Sequence, residues 1–176
     1  MNLTTKRLTL RKERMEDAEI LYHALGCDSE ITKYTGWNPY STPASAREKV
    51  AEDISNYKKE GCYAWIVQYG EEVVGTIGAY DYEPDISSIE IGYSIFRSAW
   101  GNGFATEAVS EVIRFLFENK KINRVHAWCH SENIASSKVL EKVGFRQEGL
   151  LKQAVKNIDG SLSDQKLYGL IREQWK

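Results

Sequence analysis

The chain has 176 residues, of which 42% are hydrophobic and 27% are charged. This length suffices for one well-packed domain and is short for two, so we expect a single domain over residues 1–176. The net charge is −2, and the 23 basic side chains are spread among 25 acidic ones. No basic field is available to bind nucleic acid, and a nucleic-acid partner is therefore disfavoured.

The cysteines and the apolar runs limit the location of the protein. Cys27, Cys62 and Cys129 lie far apart, which gives neither zinc-site spacing nor a disulfide framework. The N-terminus has charges every few residues, and no run approaches the length of a membrane span. The three histidines are too scattered for a metal triad. We expect reduced thiols, a cytoplasmic location, no membrane association and no metal.

The N-terminal half predicts a strand, two helices and three further strands. The stretch "RLTLR" alternates like a strand, and apolar residues at 18, 21, 22 and 25 then share one helical face. In the second helix Thr42 is the expected N-cap, Pro43 the first residue and Gly61 the end. The runs "CYAWIVQY", "EVVGTIGAYDY" and "SIEIGYSIF" predict an antiparallel meander.

The C-terminal half predicts two helices and three strands. From Ala105, apolar residues at 108, 109, 112, 113 and 116 indicate an amphipathic helix. This helix connects "SIEIGYSIF" to "INRVHAWC", so these two strands should be parallel with a right-handed crossover. A short helix in "SENIASSKVLEKVGF" should end at Gly144, and a final hairpin should turn at Asp159 and Gly160. The predicted fold class is α/β with a mixed sheet.

The stretch "WGNGFATEA" places two glycines just before a helix start. Glycines permit positive φ angles and close approach of the backbone, and unpaired helix amides suit a phosphate-bearing ligand. A dinucleotide fingerprint requires Gly or Ala where Thr106 stands, and a P-loop requires Gly-Lys-Ser/Thr at the helix entry. Both of these nucleotide motifs are therefore excluded.

The segment "IEIGYSIFRSAWGNGFATEAVSEVIRFLF", followed by "NRVHAWCHSENIASSKVLEKVGFRQEGLL", resembles the GNAT acetyltransferases. It is most similar to the branch of the ribosomal-protein N-terminal acetyltransferases RimJ and RimL, as are "TKRLTLRKERMEDAEIL" and "DGSLSDQKLYGLIREQW". The resemblance implies a mixed, mostly antiparallel sheet of about seven strands with a splayed central parallel pair, flanked by about four helices. In the family loop pattern Gln/Arg-x-x-Gly-x-Gly/Ala, Gly103 and Ala105 fill the last two places, and Trp100 replaces Gln/Arg.

The same resemblance implies that acetyl-CoA is the cofactor and coenzyme A the product. Its pyrophosphate would be held by the loop and helix start, at Gly101, Asn102, Gly103, Phe104, Ala105 and Thr106. Its pantetheine arm would pair with the splayed strand near Ile95, Phe96 and Arg97, with help from Asn133 and Ser136. As alternatives, the glycines serve only a tight turn, and Asn133 only caps the helix that follows it.

Three catalytic roles follow from transfer of an acetyl group to an amine. Ser136 occupies the serine of the family's Asn-x-x-Ser motif and is the candidate acid for the leaving thiolate; alternatively it bonds the backbone at a helix end. Tyr168 is a second candidate donor, with packing as its alternative role. Glu90 is the candidate base, acting through water, and its alternative is pairing with a cross-strand cation. A glutamate that some relatives use as base aligns with Val155 and is absent. An amide near Ile95 or Phe96 is expected to meet the oxyanion.

The acceptor site is expected at an aromatic loop that includes Trp37 and Tyr40, although Trp37 can equally cover the core edge. The predicted activity is acetylation of a primary amine, foremost the α-amino group of a protein N-terminus. One rival acceptor is a polyamine, amino acid or antibiotic, which an acidic pocket would favour; Asp81, Glu83 and Asp85 leave this open. A second rival is a non-catalytic acyl-CoA sensor. A homodimer is a further expectation from the family.

Overall fold

In the computed structural model, which describes residues 2–35 and 38–175, eight strands form one sheet. The first four strands are β1 (Leu3–Thr4), β2 (Leu8–Arg11), β3 (Tyr63–Tyr69) and β4 (Glu72–Glu83). The other four are β5 (Ser88–Ile95), β6 (Arg124–His130), β7 (Arg146–Lys156) and β8 (Leu162–Ile171). Their order is β1-β2-β3-β4-β5-β6-β8-β7, and among these neighbours β5 and β6 form the parallel pair. The predicted mixed, mostly antiparallel sheet is confirmed, with eight strands.

Over the described residues, five α-helices flank the sheet: α1 (Asp17–Leu21), α2 (Ser29–Thr32), α3 (Pro43–Asn56), α4 (Phe104–Arg114) and α5 (Ile134–Val143). The buried apolar residues of α4 and α5 belong to the larger core. Those of α1 and α3 form a second core with Ile66 and Phe96. Because Trp65 and Val67 belong to the larger core while Ile66 belongs to the second, the two helix pairs cover opposite faces of the sheet.

The start of α3 follows the predicted capping chemistry, whereas its end does not. Thr42 accepts a hydrogen bond from the Ser45 amide, Ser45 caps Thr42 in return, and Pro43 occupies the first turn. The helix ends at Asn56 rather than at Gly61. Beyond Asn56 the chain continues in tight turns, since the Tyr57 amide bonds the carbonyl three residues before it. Gly61, with φ 75°, belongs to the loop that enters β3.

Other predicted elements are found where the pattern placed them. In α4, Ala108, Val109, Val112 and Ile113 are at most 1% exposed, as the helical spacing predicted. Gly144 ends α5 in a left-handed conformation with φ 103°. The hairpin of β7 and β8 turns through Gly160, at φ 87°. The predicted strand "RLTLR" is β2, and the two-residue strand β1 before it was not predicted. Helix α2 also has no counterpart among the predicted helices, because four residues show no helical period.

Within residues 2–35 and 38–175, no helix combines the length and the apolar character that crossing a membrane requires. Over the same residues, no group of three or more His, Cys, Asp or Glu side chains is arranged to hold a metal ion. The cysteines carry free thiols, exposed at Cys27, half-buried at Cys62 and buried at Cys129.

Candidate active site

Strands β5 and β6 are paired only near their starts. Three residue pairs connect them: Ser88 with Arg124, Ile89 with Val125, and Glu90 with His126. Further along, β5 keeps its partner β4 as far as Ile95, and β6 keeps its partner β8 as far as His130. The two strands therefore diverge, as predicted, and their facing edges border a gap. An extended ligand can hydrogen-bond to such an edge like an added strand.

The backbone of β5 shows which groups face this gap. The Phe96 amide donates to the Val74 carbonyl at 2.8 Å, on the β4 side. Polar groups alternate in direction along an antiparallel strand, so those of Ile95 and Tyr93 point toward the gap. The Ile95 carbonyl accepts a hydrogen bond from the Trp100 indole nitrogen at 2.8 Å. Trp100 thus ties the glycine loop to β5, and the Ile95 amide is a donor directed at the gap beside this contact.

The glycine loop leads into α4 through two left-handed residues. Gly101 has φ 80° and Gly103 has φ 77°, a region that residues with a Cβ rarely adopt. Gly103 is the N-cap of α4 and has no side chain with which to bond the first-turn amides. A Cβ added at Gly103 would meet only the Arg7 guanidinium, at 3.6 Å, so the space beside the loop is open. Open amides at a helix start form a site for phosphate oxygens.

A cleft of about 960 Å³ passes through the gap. Its lining comes from α3 on one face of the sheet and from the α4 loop and α5 on the other. The predicted site residues that line it are Tyr40, Glu90, Ile95, Gly101, Gly103, Phe104, Ala105, Thr106, Asn133 and Ser136. The structure therefore brings together most of the predicted cofactor residues and two of the three predicted catalytic ones.

Three predicted cofactor residues are not in the cleft lining found among the described residues: Phe96, Arg97 and Asn102. The Phe96 amide is used by Val74, and its carbonyl accepts from the Ala99 amide at 2.9 Å. The Phe96 side chain is buried in the core with α1 and α3. Phe96 thus has no free amide to donate to the oxyanion, and that expectation narrows to the Ile95 amide.

Arg97 and Asn102 have other partners as well. The Arg97 guanidinium lies 3.6 Å from Asp28, and its side chain is 59% exposed. The Asn102 side chain donates to the Ala99 carbonyl at 3.1 Å, which folds it back on its own loop. These side chains shape the surface around the loop rather than the cleft.

Ser136 lies in the first turn of α5, against β5. The Tyr93 hydroxyl is 3.0 Å from Ser136 Oγ and donates to the Ser136 carbonyl at 3.3 Å. Burial raises the pKa of the Tyr93 phenol, so it keeps its proton at neutral pH. Asn133 caps the helix, because its side-chain oxygen accepts from the Ser136 amide at 3.0 Å. This cap uses only the oxygen, and the amide nitrogen is a donor that a ligand can still engage.

Tyr168 is not at the cleft, contrary to its predicted role as a second donor. Its side chain is 1% exposed in the core beneath α5, and its hydroxyl donates to Glu141 Oε1 at 3.3 Å. Strand β8 directs this side chain into the core rather than into the gap. The phenol that meets Ser136 is that of Tyr93 instead.

Glu90 lies where β5 and β6 begin to diverge. The register places it opposite Tyr80 on β4 and His126 on β6. Glu90 Oε2 lies 3.5 Å from His126 Nε2. Burial, and then the neighbouring Glu90 carboxylate, raise the pKa of the Tyr80 phenol. His126 Nδ1 is 3.2 Å from the hydroxyl of Ser88. Glu90 thus has a cross-strand imidazole beside it and also lines the cleft, 16% exposed.

On the acceptor side, Tyr40 lines the cleft and is 8% exposed. Trp37, the other predicted acceptor residue, lies outside the described residues. The acidic residues considered for this pocket, Asp81, Glu83 and Asp85, are exposed on β4 and the turn after it. The carboxyl groups of Glu13 and Asp53, by contrast, do line the cleft.

Sequence reasoning missed Tyr93, His126, Glu13 and Asp53. The sequence could have identified Tyr93, because alternation places it on the same face of β5 as Ile89 and Ile91, the face covered by α4 and α5. His126 meets Glu90 only through the register of two strands 36 residues apart. Glu13 lies within "RKERMED", where neighbouring charges made a buried carboxyl indistinguishable from an exposed one.

Divergent parallel strands with room for an extended arm, beside an open helix start with room for a pyrophosphate, form a site of the shape that a coenzyme A thioester requires. A family profile described as "Acetyltransferase (GNAT) domain" matches residues 7–146, and the chain belongs to this family. It is 35% identical over 175 residues to an uncharacterized N-acetyltransferase, p20, from Bacillus licheniformis, covering 98% of this chain and 97% of that one.

Solved structures agree with this assignment. A GNAT-family acetyltransferase from Bacillus anthracis superposes with a TM-score of 0.85 at 26% identity, covering 98% of this chain and 99% of that one. RimL, titled a ribosomal L7/L12 alpha-N-protein acetyltransferase in complex with coenzyme A, superposes with a TM-score of 0.89 at 22% identity. That match covers 97% of this chain and 98% of RimL. The RimL likeness establishes the fold.

Proposed function

We propose that the protein transfers the acetyl group of acetyl-CoA directly to a primary amine, foremost the α-amino group of a protein N-terminus. The observation that carries the proposal is the placement of Glu90 and the Ser136–Tyr93 pair in one cleft. Glu90 and Tyr93 are three residues apart on β5, so their side chains lie on opposite faces of the sheet. A base on one face and an acid on the other is the arrangement that acyl transfer through the gap requires.

The residues of the loop and of α5 fit a coenzyme A thioester. The left-handed Gly101 and Gly103, with open space beside them, allow the first-turn amides of α4 to bind the pyrophosphate. The open edge of β5 at Ile95 and the Asn133 amide would hold the arm. When bound, acetyl-CoA supplies an acetyl group activated as a thioester.

Glu90 and Ser136 then carry out the two proton transfers of the reaction. Glu90 accepts a proton from the amine through water, and the neutral nitrogen forms a bond to the acetyl carbon. The Ile95 amide donates to the carbonyl oxygen while negative charge develops on it. As the carbon–sulfur bond breaks, Ser136 donates a proton to the thiolate, and the Tyr93 phenol can return a proton to Ser136. The two products are an amide and a free thiol.

The pKa of the acceptor amine favours an α-amino group over a lysine side chain. An α-amino group of pKa about 8 is about a tenth neutral at pH 7, whereas a lysine side chain of pKa about 10.4 costs about 5 kcal/mol to deprotonate. A carboxylate that acts through water is therefore better suited to deprotonating an α-amino group than a lysine side chain. A small amine with a further positive charge is the second candidate, favoured by the carboxyl groups of Glu13 and Asp53 in the cleft.

The test is release of coenzyme A, followed with a thiol-reactive reporter, across N-terminal peptides, polyamines and amino acids. Release that depends on one class of amine supports the transferase and identifies its acceptor. Tight binding of acetyl-CoA without release for any amine would instead support a non-catalytic sensor. A homodimer and a cytoplasmic location stay predictions, to be tested by analytical ultracentrifugation and by cell fractionation.

A further inference from the structure

Glu13 is a carboxyl group in an unusual position. The residue is 5% exposed, and it contributes to the lining of the cleft. Among the described residues, its Oε2 is a buried oxygen without a hydrogen-bond partner. Buried carboxyl oxygens are nearly always paired, and leaving one unpaired costs free energy. This oxygen therefore requires an explanation that the rest of the fold does not provide.

The groups around Glu13 are acidic and aromatic. Asp53 of α3 also lines the cleft, as do the rings of Tyr40 and Tyr57. The Glu13 amide donates to the Tyr57 hydroxyl at 2.6 Å, which fixes the backbone beside that ring. Besides Arg11, which is bonded to both oxygens of Asp17, Lys49 is the nearby cation, and its ammonium group is bonded to both oxygens of Asp53. Its charge is thus largely used by Asp53.

Glu13 lies on the same sheet face as the proposed base. Ile66, Thr76 and Ser94 form one row across β3, β4 and β5, and Ile66 faces α1 and α3. The side chain of Thr76 contacts the Glu13 carboxyl. Ser94 and Glu90 are an even number of residues apart on β5, so they share this face. One acceptor molecule on this face can therefore meet Glu90 and Glu13 together.

We propose that Glu13, together with Asp53 and the rings of Tyr40 and Tyr57, binds a cationic nitrogen of the acceptor. The acceptor then carries a second positive charge besides the amine that is acetylated. This inference rests on the proposed function, whose acceptor class it narrows. The cation has two sources with the same chemistry: the far end of a free diamine, or a lysine side chain near a peptide N-terminus.

The chemistry of the pocket selects a cation over other ligands. An ammonium group has donors for the free oxygen of Glu13, and aromatic faces attract cations. An anion would bring no donor for this free oxygen, and it would meet two cations, Lys49 and Arg11, that are already bonded to carboxylates. The pocket thus presents hydrogen-bond-accepting oxygens and aromatic faces, which suit an ammonium group because it has only hydrogen-bond donors and a positive charge.

The titration of Glu13 is consistent with this site. Burial, and then the charge of Asp53, raise the pKa of Glu13 to about 8, while Lys49 opposes the shift. The ionisable and charged groups that face this carboxyl are Lys49 and Asp53 of α3, Tyr57 just after it, Asp17 of α1, Arg11 of β2, and Tyr40. A bound cation lowers the pKa of a neighbouring carboxyl, so binding at pH 7 should release a proton.

The kinetic test compares 1,4-diaminobutane with butylamine, and peptides that have Lys at the second position with peptides that have Met there. In the native protein kcat/KM should favour the dication of at least one pair by about tenfold or more. Glu13→Gln should reduce this preference to near one, and Asp53→Asn should weaken it. Glu83→Gln, which removes an exposed carboxylate, should leave the preference unchanged. If neither pair shows a preference that depends on Glu13, the proposal is wrong.

A binding test does not require turnover. Calorimetric titration of 1,4-diaminobutane and of the Lys peptide, in two buffers of different ionisation enthalpy at pH 7, measures the proton released. The native protein should bind one of the two and release close to one proton, as about nine tenths of Glu13 is protonated below a pKa of about 8. Glu13→Gln should release none. Absence of binding, or equal binding by the variant, overturns the site. Binding without acetylation would sustain the cation site and count against the transferase.

Discussion

The Tyr93 hydroxyl lies 3.0 Å from Ser136 Oγ, although the two residues are 43 positions apart in the sequence. Strand β5 and the first turn of α5 meet at this contact, on the cofactor side of the gap. Burial raises the pKa of Tyr93, so its phenol holds a proton that Ser136 can draw on. The pair supplies the proposed acid for the thiolate with a second proton source.

Ser136→Ala should lower kcat by about 100-fold, the usual loss when a positioned acid is removed. Tyr93→Phe should lower kcat less, by about tenfold, because Ser136 remains. Both variants should retain acetyl-CoA binding, measured by calorimetry, since the α4 amides are unchanged. The double variant should be no worse than Ser136→Ala if the two hydroxyls act as one unit. Full activity of Ser136→Ala would make its hydroxyl structural.

Glu90→Gln should lower kcat/KM by about 100-fold and should do so most at low pH, where the amine is protonated. The carboxamide keeps the shape and can still bond Tyr80 and His126, but it cannot accept a proton. Tyr80→Phe is the control, because it removes a neighbour of the carboxylate and leaves the base. A pH profile that is the same in Glu90→Gln and the native protein would exclude Glu90 as the base.

Gly103→Val should abolish measurable acetyl-CoA binding, because φ 77° is strained for a β-branched residue and its side chain would enter the pyrophosphate site. Gly160→Val is the matched control, since Gly160 also has a positive φ, 87°, but lies in the β7–β8 turn. Gly160→Val should also lower the stability of the fold, but its affinity for acetyl-CoA should equal that of the native protein. Equal affinity in Gly103→Val and the native protein would remove the loop from the site.

The pKa of Glu13 also predicts a pH-dependent stability. Its folded value of about 8 lies above the ordinary 4.5, so its contribution to stability is complete below about pH 4.5 and is lost as pH rises through 8. The glutamine of Glu13→Gln cannot ionise, so the variant does not lose stability in this way as pH rises. Its free energy of unfolding relative to the native protein should therefore rise between pH 5 and pH 9, by at most about 5 kcal/mol. Denaturant unfolding at several pH values measures the difference, and a constant difference would contradict the raised pKa.

Asp17→Ala should destabilise the fold by about 3–5 kcal/mol, because it leaves a buried guanidinium without its partner. Arg11 bonds both Asp17 oxygens, at 2.6 and 2.7 Å, and the two side chains are 10% and 7% exposed. Glu30→Ala, which breaks an exposed pair with Lys33, is the control and should cost about 1 kcal/mol or less. If denaturant unfolding shows that both variants lose a similar free energy of unfolding, the burial of the Arg11–Asp17 pair is contradicted.

Several elements were predictable because their signals are local. Thr42 and Pro43 mark the start of α3 by capping chemistry, and Gly144 marks the end of α5 by its left-handed conformation. The amphipathic spacing of α4 and the alternation of the meander are also local patterns. The end of α3 was missed because Gly61 carries a strong stop signal, although the helix had already ended at Asn56.

The sequence by itself determined the α/β class, the GNAT resemblance, the glycine loop and Ser136 as a candidate acid, since each depends on residues that are close in the chain. The tertiary structure decided that Tyr93 rather than Tyr168 meets Ser136, and that Phe96 is used by β4. It also decided that Glu13 is buried and not exposed among its charged neighbours. These outcomes depend on strand register and on which faces pack together, which are set by long-range burial that no local pattern encodes.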